Sequence, residues 1–324
     1  MPRVELPTRE ALAEAAERLR RGGIVAFPTE TVYGLGADTF NEEAIQRVYA
    51  TKGRPFNNPL IAHVRDAAQA QRLVATWDRR CEILAQRFWP GPLTLVVAKA
   101  SGVPAAATAG YPTIAVRCPA HQVARELLAA FGGPLSAPSA NRSGRISPTQ
   151  AQHVASDFAA CEDLLILDGG PCEVGIESTV VDLSGEKPRI LRPGSVSREA
   201  IEIALGERVA GDIMHDTQHA SPGTAASHYA PQTPAELVSR DDLPARLAES
   251  TKTCIVLARG SFVASPPHHV LIMPTEPDDY AHALYATLRA ADALGVSRML
   301  IERVPEGDER WAAVRDRLRR ATHG

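Results

Sequence analysis

Residues 22–36 read GGIVAFPTETVYGLG, and this stretch carries the signals that decide how the fold begins. The glycine pair at its start ends a predicted helix that Thr8 can cap, because a threonine hydroxyl accepts from the first helical turn. The apolar run at 24–27 predicts a short strand, which Pro28 stops. Threonine, glutamate and tyrosine side chains follow on a predicted turn with flexible glycines. Polar chemistry is therefore expected directly after a strand.

Further strand-like runs follow this stretch, and the connections between them are rich in proline and glycine. They are LTLVVA at 93–98, TIAVR at 113–117, LLILD at 164–168, STVVDL at 178–183 and RILR at 189–192. Strands outnumber helices and do not alternate steadily with them. This pattern predicts an α/β domain built on a twisted, mixed sheet.

The succession of apolar strand-like runs and helices stops before residue 235. Residues 209–234, VAGDIMHDTQHASPGTAASHYAPQTP, have no sustained period and contain several turn formers, which predicts a linker. Beyond it, strand-like runs alternate with helical patterns, which is typical of a small parallel-sheet α/β domain. We therefore predict a first domain over 1–206, a linker over 207–234 and a second domain over 235–324.

Composition disfavours several classes of protein. The chain has 324 residues, of which 44% are hydrophobic and 23% charged, and its formal net charge is −3. These values are ordinary for a globular protein and give no global basic footprint for nucleic acid. Five scattered cysteines without a Cys-x-x-Cys pair disfavour a disulfide framework and a structural zinc site. The absence of a signal-peptide pattern and of an apolar window of about 20 residues predicts a cytoplasmic location and no membrane partner.

Common nucleotide and hydrolase motifs are absent from the sequence. There is no P-loop, and Gly34-Leu35-Gly36 lacks the third glycine of a dinucleotide fingerprint. Neither His-Glu-x-x-His nor Gly-x-Ser-x-Gly occurs. The chemistry must therefore come from another arrangement.

Polar residues are concentrated instead on turns that follow strands. Lys52 and Arg54 flank a glycine, and Pro55 and Pro59 stiffen the segment that follows. An isolated Lys-Gly-Arg turn is usually solvated. With two prolines stiffening the segment that follows, however, the two side chains predict a pre-organised cationic site for phosphate oxygens.

Three further clusters supply hydroxyls, an amide and another guanidinium. LSAPSANRSG spans 135–144, VGIESTVVDL spans 174–183 and LRPG spans 191–194. Any one of their polar residues could simply cap a turn. Together they contain no obvious general base, which phosphoryl or nucleotidyl transfer tolerates because it depends mainly on positioning and charge neutralisation.

Five motifs, in this order, resemble those of the Sua5/YrdC/YciO family: GGIVAFPTETVYGLG, KGRP-x-x-NPL, SAPSAN-x-SG, GIESTVVD and LRPG. The linker motif SPG-x-x-x-x-HYAP and the second domain are similar to the long Sua5 type rather than the single-domain YrdC type. The resemblance implies a YrdC-like twisted open mixed-sheet domain over 1–206. It also implies that the linker closes over the active site, and that a Rossmann-like domain occupies 235–324.

The resemblance further implies an activity, the synthesis of L-threonylcarbamoyladenylate. Threonine and bicarbonate would give a carbamate whose oxygen attacks the α-phosphorus of ATP, so that pyrophosphate leaves. Mg²⁺ is expected with ATP, held largely through phosphate oxygens and not by assigned protein ligands. The product would pass to a separate tRNA threonylcarbamoyl transferase that modifies adenosine 37 in tRNAs reading ANN codons.

The resemblance also assigns site residues, position by position. The positions that match threonine contacts are Thr31, His63, Arg117 and Ser178. The positions that match ATP contacts or signatures are Arg54, Asn58, Thr113, Ser139, Asn141, Ser147 and Arg192, with Tyr229 expected to close over the nucleotide. Catalysis is assigned to Lys52 and Arg54. Arg117 is the expected partner of the threonine carboxylate, because a bidentate ion pair gives both energy and orientation.

Two departures and two alternatives accompany this interpretation. Ala137 stands where many relatives have a hydroxyl, and the linker lacks the methionine and basic residue frequent after its glycine. One threonine contact must then come from backbone or water.

The alternatives are an RNA-binding or ribosome-assembly module of the same fold, and another carbamoyl-adenylating enzyme. The net charge of −3 disfavours the first, and the absence of cysteine-rich modules disfavours the second.

Overall fold

The computed structural model describes residues 1–210 and 229–322, and these form two compact units. Of the described residues, the first unit takes 1–143, 148–173 and 177–210. The second takes 229–322 together with the short segments 144–147 and 174–176.

The first unit is a ten-stranded sheet flanked by helices. Its strands are β1 (Arg3–Glu5), β2 (Val25–Phe27), β3 (Gly34–Asp38), β4 (Ile61–His63), β5 (Leu93–Ala98), β6 (Thr113–Arg117), β7 (Leu135–Ala137), β8 (Leu165–Leu167), β9 (Thr179–Asp182) and β10 (Arg189–Arg192). Its helices are α1 (Arg9–Arg20), α2 (Glu42–Lys52), α3 (Ala67–Gln71), α4 (Arg79–Phe88), α5 (Gln122–Phe131), α6 (Ala151–Asp157) and α7 (Arg198–Leu205).

The sheet is mixed, with the strand order β1-β8-β2-β3-β7-β4-β6-β5-β9-β10. The pairs β4·β6 and β5·β9 are parallel, whereas β5·β6 and β4·β7 are antiparallel. Thr8 caps the start of α1 as expected, accepting a hydrogen bond from Ala11 N at 3.2 Å. Gly53 ends α2 with a φ of 63°.

The two faces of this sheet carry different side chains, because successive residues of a strand point to opposite faces. One face holds the main core under the helices, and it includes Leu93, Leu95, Ile114 and Val116. The other face packs against α1 and α5 through a second apolar cluster, and beside it carries a smaller one of Ile61, Val96, Ala115, Val180 and Leu191. We call this second face the site face, because the polar residues that alternate with the main core lie on it.

The glycines of the opening motif lie in a strand rather than in the turn expected from the sequence. Gly34 and Gly36 belong to β3, which pairs with β2. A Cβ atom at Gly36 would stand 2.6 Å from Cε1 of Phe27, too close for any side chain. Gly36 is needed so that the Phe27 ring can pack across β3, and the expectation that these glycines lie in a flexible turn is wrong.

The second unit has a small sheet whose four strands are all parallel, in the order β11-β14-β12-β13. The strands are β11 (Ala235–Val238), β12 (Cys254–Arg259), β13 (His269–Met273) and β14 (Arg298–Glu302). The helices are α8 (Leu243–Ala248), α9 (Pro277–Ala293) and α10 (Ala312–Ala321). A mixed-sheet domain and a smaller parallel α/β domain are thus confirmed as the fold class.

The predicted domain bounds are not settled by this architecture. Helix α7 ends before Gly206 and β11 begins at Ala235, but residues 211–228 of the predicted linker lie outside the described residues. The bounds 1–206, 207–234 and 235–324 therefore stay predictions. Within the described ranges, no helix combines the length and the apolar character that crossing a membrane requires.

Candidate active site

Arg117 lies at the centre of one part of the site face. It ends β6 and pairs in register with His63 of β4, so the two side chains share a face. Its Nη1 donates to Thr31 Oγ1 at 2.8 Å, and its Nε donates to Gly91 O at 3.2 Å. Its Nη2 forms an ion pair with Glu30 at 2.7 Å. Three of the four predicted threonine-binding positions are therefore grouped around one buried guanidinium.

Glu30 is the counterion of this group. Its side chain is 4% exposed and that of Arg117 is 3% exposed, so both charges are removed from water. Glu30 also accepts a hydrogen bond from Ala120 N at 3.1 Å. Burial alone would raise the pKa of Glu30, but the charge of Arg117 and these bonds outweigh it and hold the pKa below its usual value. The carboxylate is therefore ionised at neutral pH.

His63 is neutral in this environment. Burial, followed by the positive charge of Arg117, lowers the pKa of His63 to about 3. Its Nδ1 lies 3.1 Å from Ile61 O. A carbonyl oxygen only accepts, so Nδ1 carries the proton and Nε2 is left with a lone pair.

The neutral state of His63 predicts a specific pH dependence of stability. The unfolded chain takes up a proton at the ordinary histidine pKa, whereas the folded chain does so only near pH 3. The contribution of the neutral His63 to the free energy of unfolding is therefore complete above pH 6.5 and is lost as the pH falls towards 3. Urea unfolding from pH 7 to pH 4 should show the wild-type protein losing up to about 1.4 kcal/mol per pH unit more than His63→Gln. Equal slopes for the two proteins between pH 6 and pH 4 would contradict the buried, neutral histidine.

Ser178 immediately precedes β9, and two side chains hold its hydroxyl. The Thr94 and Ser178 hydroxyl oxygens are 2.8 Å apart. Arg192 donates from Nη2 to Ser178 Oγ at 3.1 Å and from Nε to Ser178 O at 3.1 Å. A predicted threonine-binding residue and a predicted ATP-binding residue are thus directly hydrogen-bonded.

Lys52 joins two motifs that are far apart in the sequence. Its Nζ donates to Ser139 O, to Asn141 O at 2.6 Å and to Asn141 Oδ1 at 3.3 Å. The Ser139 hydroxyl donates to Asn141 Oδ1 at 2.6 Å. Burial and then the neighbouring Arg54 charge lower the pKa of Lys52 well below its usual value. The Lys52 amino group fixes the Ser-x-Asn turn through these hydrogen bonds, and the two signatures form one cluster.

Arg54 holds the segment that leaves the Lys-x-Arg turn. Its Nε donates to Asn58 O at 3.0 Å, and its Nη2 donates to Asn58 Oδ1 and to Pro59 O, the latter at 2.9 Å. The side chain is buried, with 6% of the residue exposed. The planar fork of the guanidinium therefore sets both the backbone and the side-chain amide of Asn58.

Three residues predicted to contact ATP, namely Thr113, Ser147 and Tyr229, belong to neither of these clusters. Thr113 begins β6 on the site face, roughly 13 Å along the strand from Arg117. Ser147 and Tyr229 belong to the second unit. Tyr229 is buried, with its ring 5.5 Å from the Tyr285 ring and 5.5 Å from Arg317 Cζ, and its φ of 66° is unusual for a residue other than glycine. Closure over the nucleotide stays a prediction.

Two functional candidates, Glu30 and Thr94, were not assigned from the sequence. Glu30 lies inside the opening motif, and Thr94 is the one polar residue in the apolar run LTLVVA, which was a usable signal. At Ala137 the neighbouring serine gives no replacement hydroxyl, because Ser136 faces the other way and donates to Thr39 Oγ1 at 3.1 Å. No group of three or more His, Cys, Asp or Glu side chains within 1–210 and 229–322 could hold a metal ion.

Two protein-family models match the chain, and together they cover most of its length. Residues 17–194 match the Sua5/YciO/YrdC family model, described as telomere recombination. Residues 196–323 match the model described as threonylcarbamoyl-AMP synthase, C-terminal domain.

Individual relatives agree with the family models. A threonylcarbamoyl-AMP synthase of Pyrococcus abyssi is 42% identical over 95% of this chain and 93% of its own length. One of Bacillus subtilis is 43% identical over 71% of this chain and 67% of its own length.

Solved structures give the same family. The crystal structure of P. abyssi Sua5 complexed with L-threonine superposes with a TM-score of 0.90 and 40% identity, covering 99% of this chain and 97% of that one. Escherichia coli YciO shares the fold of the first unit, with a TM-score of 0.52 and 23% identity over 60% of this chain and 96% of that one. The family models, the relatives and the superposition together establish that the chain belongs to the Sua5/YciO/YrdC family and carries the C-terminal domain of threonylcarbamoyl-AMP synthases.

Proposed function

We propose that the chain is an L-threonylcarbamoyladenylate synthase, an enzyme that converts L-threonine, bicarbonate and ATP into threonylcarbamoyl-AMP and pyrophosphate. The relatives named threonylcarbamoyl-AMP synthase are 42% and 43% identical to it. The observation that carries the proposal is the direct hydrogen bond between Arg192 and Ser178. It joins a residue predicted to bind ATP to a residue predicted to bind threonine, as a reaction between these two substrates requires.

Threonine would bind around Arg117, with Thr31, His63 and Ser178. Arg117 already contacts Glu30, Thr31 and Gly91 through three different nitrogens. Each terminal nitrogen of a guanidinium carries two hydrogens, so further donors remain for a carboxylate. Glu30 offsets the charge of Arg117 before the substrate arrives. The lone pair on Nε2 of His63 offers an acceptor to the threonine hydroxyl or amine.

ATP would bind through Arg54, Asn58, Thr113, Ser139, Asn141, Ser147 and Arg192, with Tyr229 as the proposed closing residue. Mg²⁺ would enter with ATP, ligated mainly by phosphate oxygens. The ion would supply charge neutralisation at the phosphates. The side chains of Lys52 and Arg54 are held in place before binding and need little reorganisation as charge develops.

The reaction then depends on positioning. The threonine amine attacks the carbon of bicarbonate, and the resulting carbamate is formed with loss of water. A carbamate oxygen next attacks the α-phosphorus of ATP, the bond from this phosphorus to the bridging oxygen breaks, and pyrophosphate leaves with the electron pair. Side chains that align the two substrates lower the barrier without a covalent intermediate on the protein.

Pyrophosphate release tests the proposed function. Release should require both threonine and bicarbonate, and it should be faster with threonine than with serine. One methyl group is worth about 1–3 kcal/mol, so the preference in kcat/KM should be roughly 10- to 200-fold and not absolute. Omitting each substrate in turn gives the control. Equal release without threonine would refute the proposal, and threonine-independent, steeply salt-dependent RNA binding would favour the RNA-binding alternative.

The later fate of the product rests on the same proposal. Threonylcarbamoyl-AMP would serve a separate tRNA threonylcarbamoyl transferase acting on adenosine 37 of tRNAs that read ANN codons. The support is the resemblance of the motifs and the names of the relatives. A cytoplasmic location and weak RNA binding stay predictions of the sequence.

A further inference from the structure

Thr94 is a fully buried polar residue for which the proposed chemistry has no role. It lies in β5 between Leu93 and Leu95, which pack into the main core, so its side chain points to the site face. Thr94 pairs in register with Val180, and Ser178 lies two residues before Val180 on the same face. A hydroxyl buried beside Val96 and Val180 is unfavourable unless it is hydrogen-bonded. Its bond to Ser178 Oγ, 2.8 Å long, satisfies it.

The neighbouring arginine leaves two possible directions for the bond between Thr94 and Ser178. A guanidinium only donates, so Ser178 Oγ accepts from Arg192 Nη2. The Ser178 proton can then point to Thr94 Oγ1. Alternatively, Thr94 donates to Ser178, and the Ser178 hydroxyl donates its own hydrogen bond to a ligand. Thr94 thus lets Ser178 change from a donor within the protein to a donor for an incoming acceptor without leaving either hydroxyl unsatisfied.

Arg192 extends the same chain of contacts. It holds Ser178 at two points, the backbone oxygen and the side-chain hydroxyl, each at 3.1 Å. A nucleotide that engages Arg192 therefore acts on the group that fixes the Ser178 hydroxyl. If a bound nucleotide changes the affinity for threonine at Ser178 by some factor, thermodynamic linkage requires bound threonine to change nucleotide affinity by that same factor.

We propose that Thr94 is a positioning residue that orients the Ser178 hydroxyl and, through Ser178 and Arg192, couples threonine binding to nucleotide binding. The inference rests on the proposed function, because it takes threonine as the ligand near Ser178 and ATP as the ligand near Arg192. Thr94 itself would act through Ser178 and need not touch either substrate.

Thr94→Val provides the test, because valine keeps the branched shape and removes only the hydroxyl. Threonine affinity would be measured by calorimetry with and without an ATP analogue whose α,β-bridging oxygen is replaced by methylene. We expect Thr94→Val to weaken threonine binding about five- to tenfold, as loss of one hydrogen bond does. We also expect the enhancement of threonine affinity by the analogue to fall towards one. Thr94→Ser, which keeps the hydroxyl, should restore the enhancement.

Thr39→Val is the matched control. Thr39 is equally buried and also forms a hydroxyl–hydroxyl bond, accepting from Ser136 at 3.1 Å outside the site. It should leave threonine affinity and its enhancement unchanged. Equal effects in the Thr94 and Thr39 variants would overturn the proposal, because a general packing loss would then explain both. Wild-type affinity and enhancement in Thr94→Val, or no enhancement in the wild-type protein, would also overturn it while leaving the proposed function intact. A wild-type protein that does not bind threonine at all would overturn both.

Discussion

Replacing Arg54 with lysine is expected to lower kcat/KM for ATP about 10- to 150-fold, the equivalent of one charge-assisted hydrogen bond, although the positive charge is kept. Arg54 holds Asn58 O at 3.0 Å through Nε and Pro59 O at 2.9 Å through Nη2. A lysine ammonium is a single point of donation and cannot reproduce a planar fork. Asn58 would lose its fixed position, and the proposed phosphate-binding geometry would be lost with it. Steady-state pyrophosphate release at varied ATP concentrations measures the effect.

Arg72→Lys is a suitable control for this change. Arg72 is an exposed residue at the end of α3, in the same unit. The same exchange there should leave kcat/KM at the wild-type value. Should Arg54→Lys also retain it, the fork would be dispensable and Arg54 would be an ordinary turn residue.

Removing the carboxylate of Glu30 is expected to give the largest loss of stability. Glu30→Ala leaves the buried Arg117 guanidinium without its counterion, and breaking a buried pair in this way costs about 3–5 kcal/mol. Both side chains are at most 4% exposed, so solvent cannot compensate. The midpoint of urea unfolding, followed for the first unit, should fall accordingly.

Glu14→Ala is the control for Glu30→Ala. Glu14 forms ion pairs with Arg3 and Arg18, but its side chain is 46% exposed. An exposed pair contributes about 0–1 kcal/mol, so this variant should be close to wild type. Similar losses in the two variants would show that the Glu30–Arg117 pair is not desolvated as described.

The pH dependence of the Glu30 contribution has a definite sign. Because the pKa of Glu30 is lowered on folding, its stabilisation is present above the ordinary glutamate pKa and is lost as the pH falls through the folded value. The difference in stability between wild type and Glu30→Ala should therefore shrink in acid.

Much of the fold could be predicted from local patterns. The runs LTLVVA and TIAVR coincide with β5 and β6, and Thr8 caps α1 as expected. Strands β1, β3, β4 and β7 were not predicted, because each has only three to five residues and β3 contains two glycines. Such segments lack a periodic signal of their own and become strands because neighbouring strands pair with them.

Each motif is a short, local stretch, so the residue types of the site, the order of the motifs and the family they resemble can be recognised in the sequence. Which of these side chains touch depends on the three-dimensional fold. Thr94 and Ser178 are 84 residues apart, Lys52 and Asn141 are 89 apart, and Thr31 and Arg117 are 86 apart. No local preference specifies contacts over such separations. Two of these contacts also depend on strand register, because a shift of one residue in β5 or β6 would turn Thr94 or Arg117 to the opposite face of the sheet.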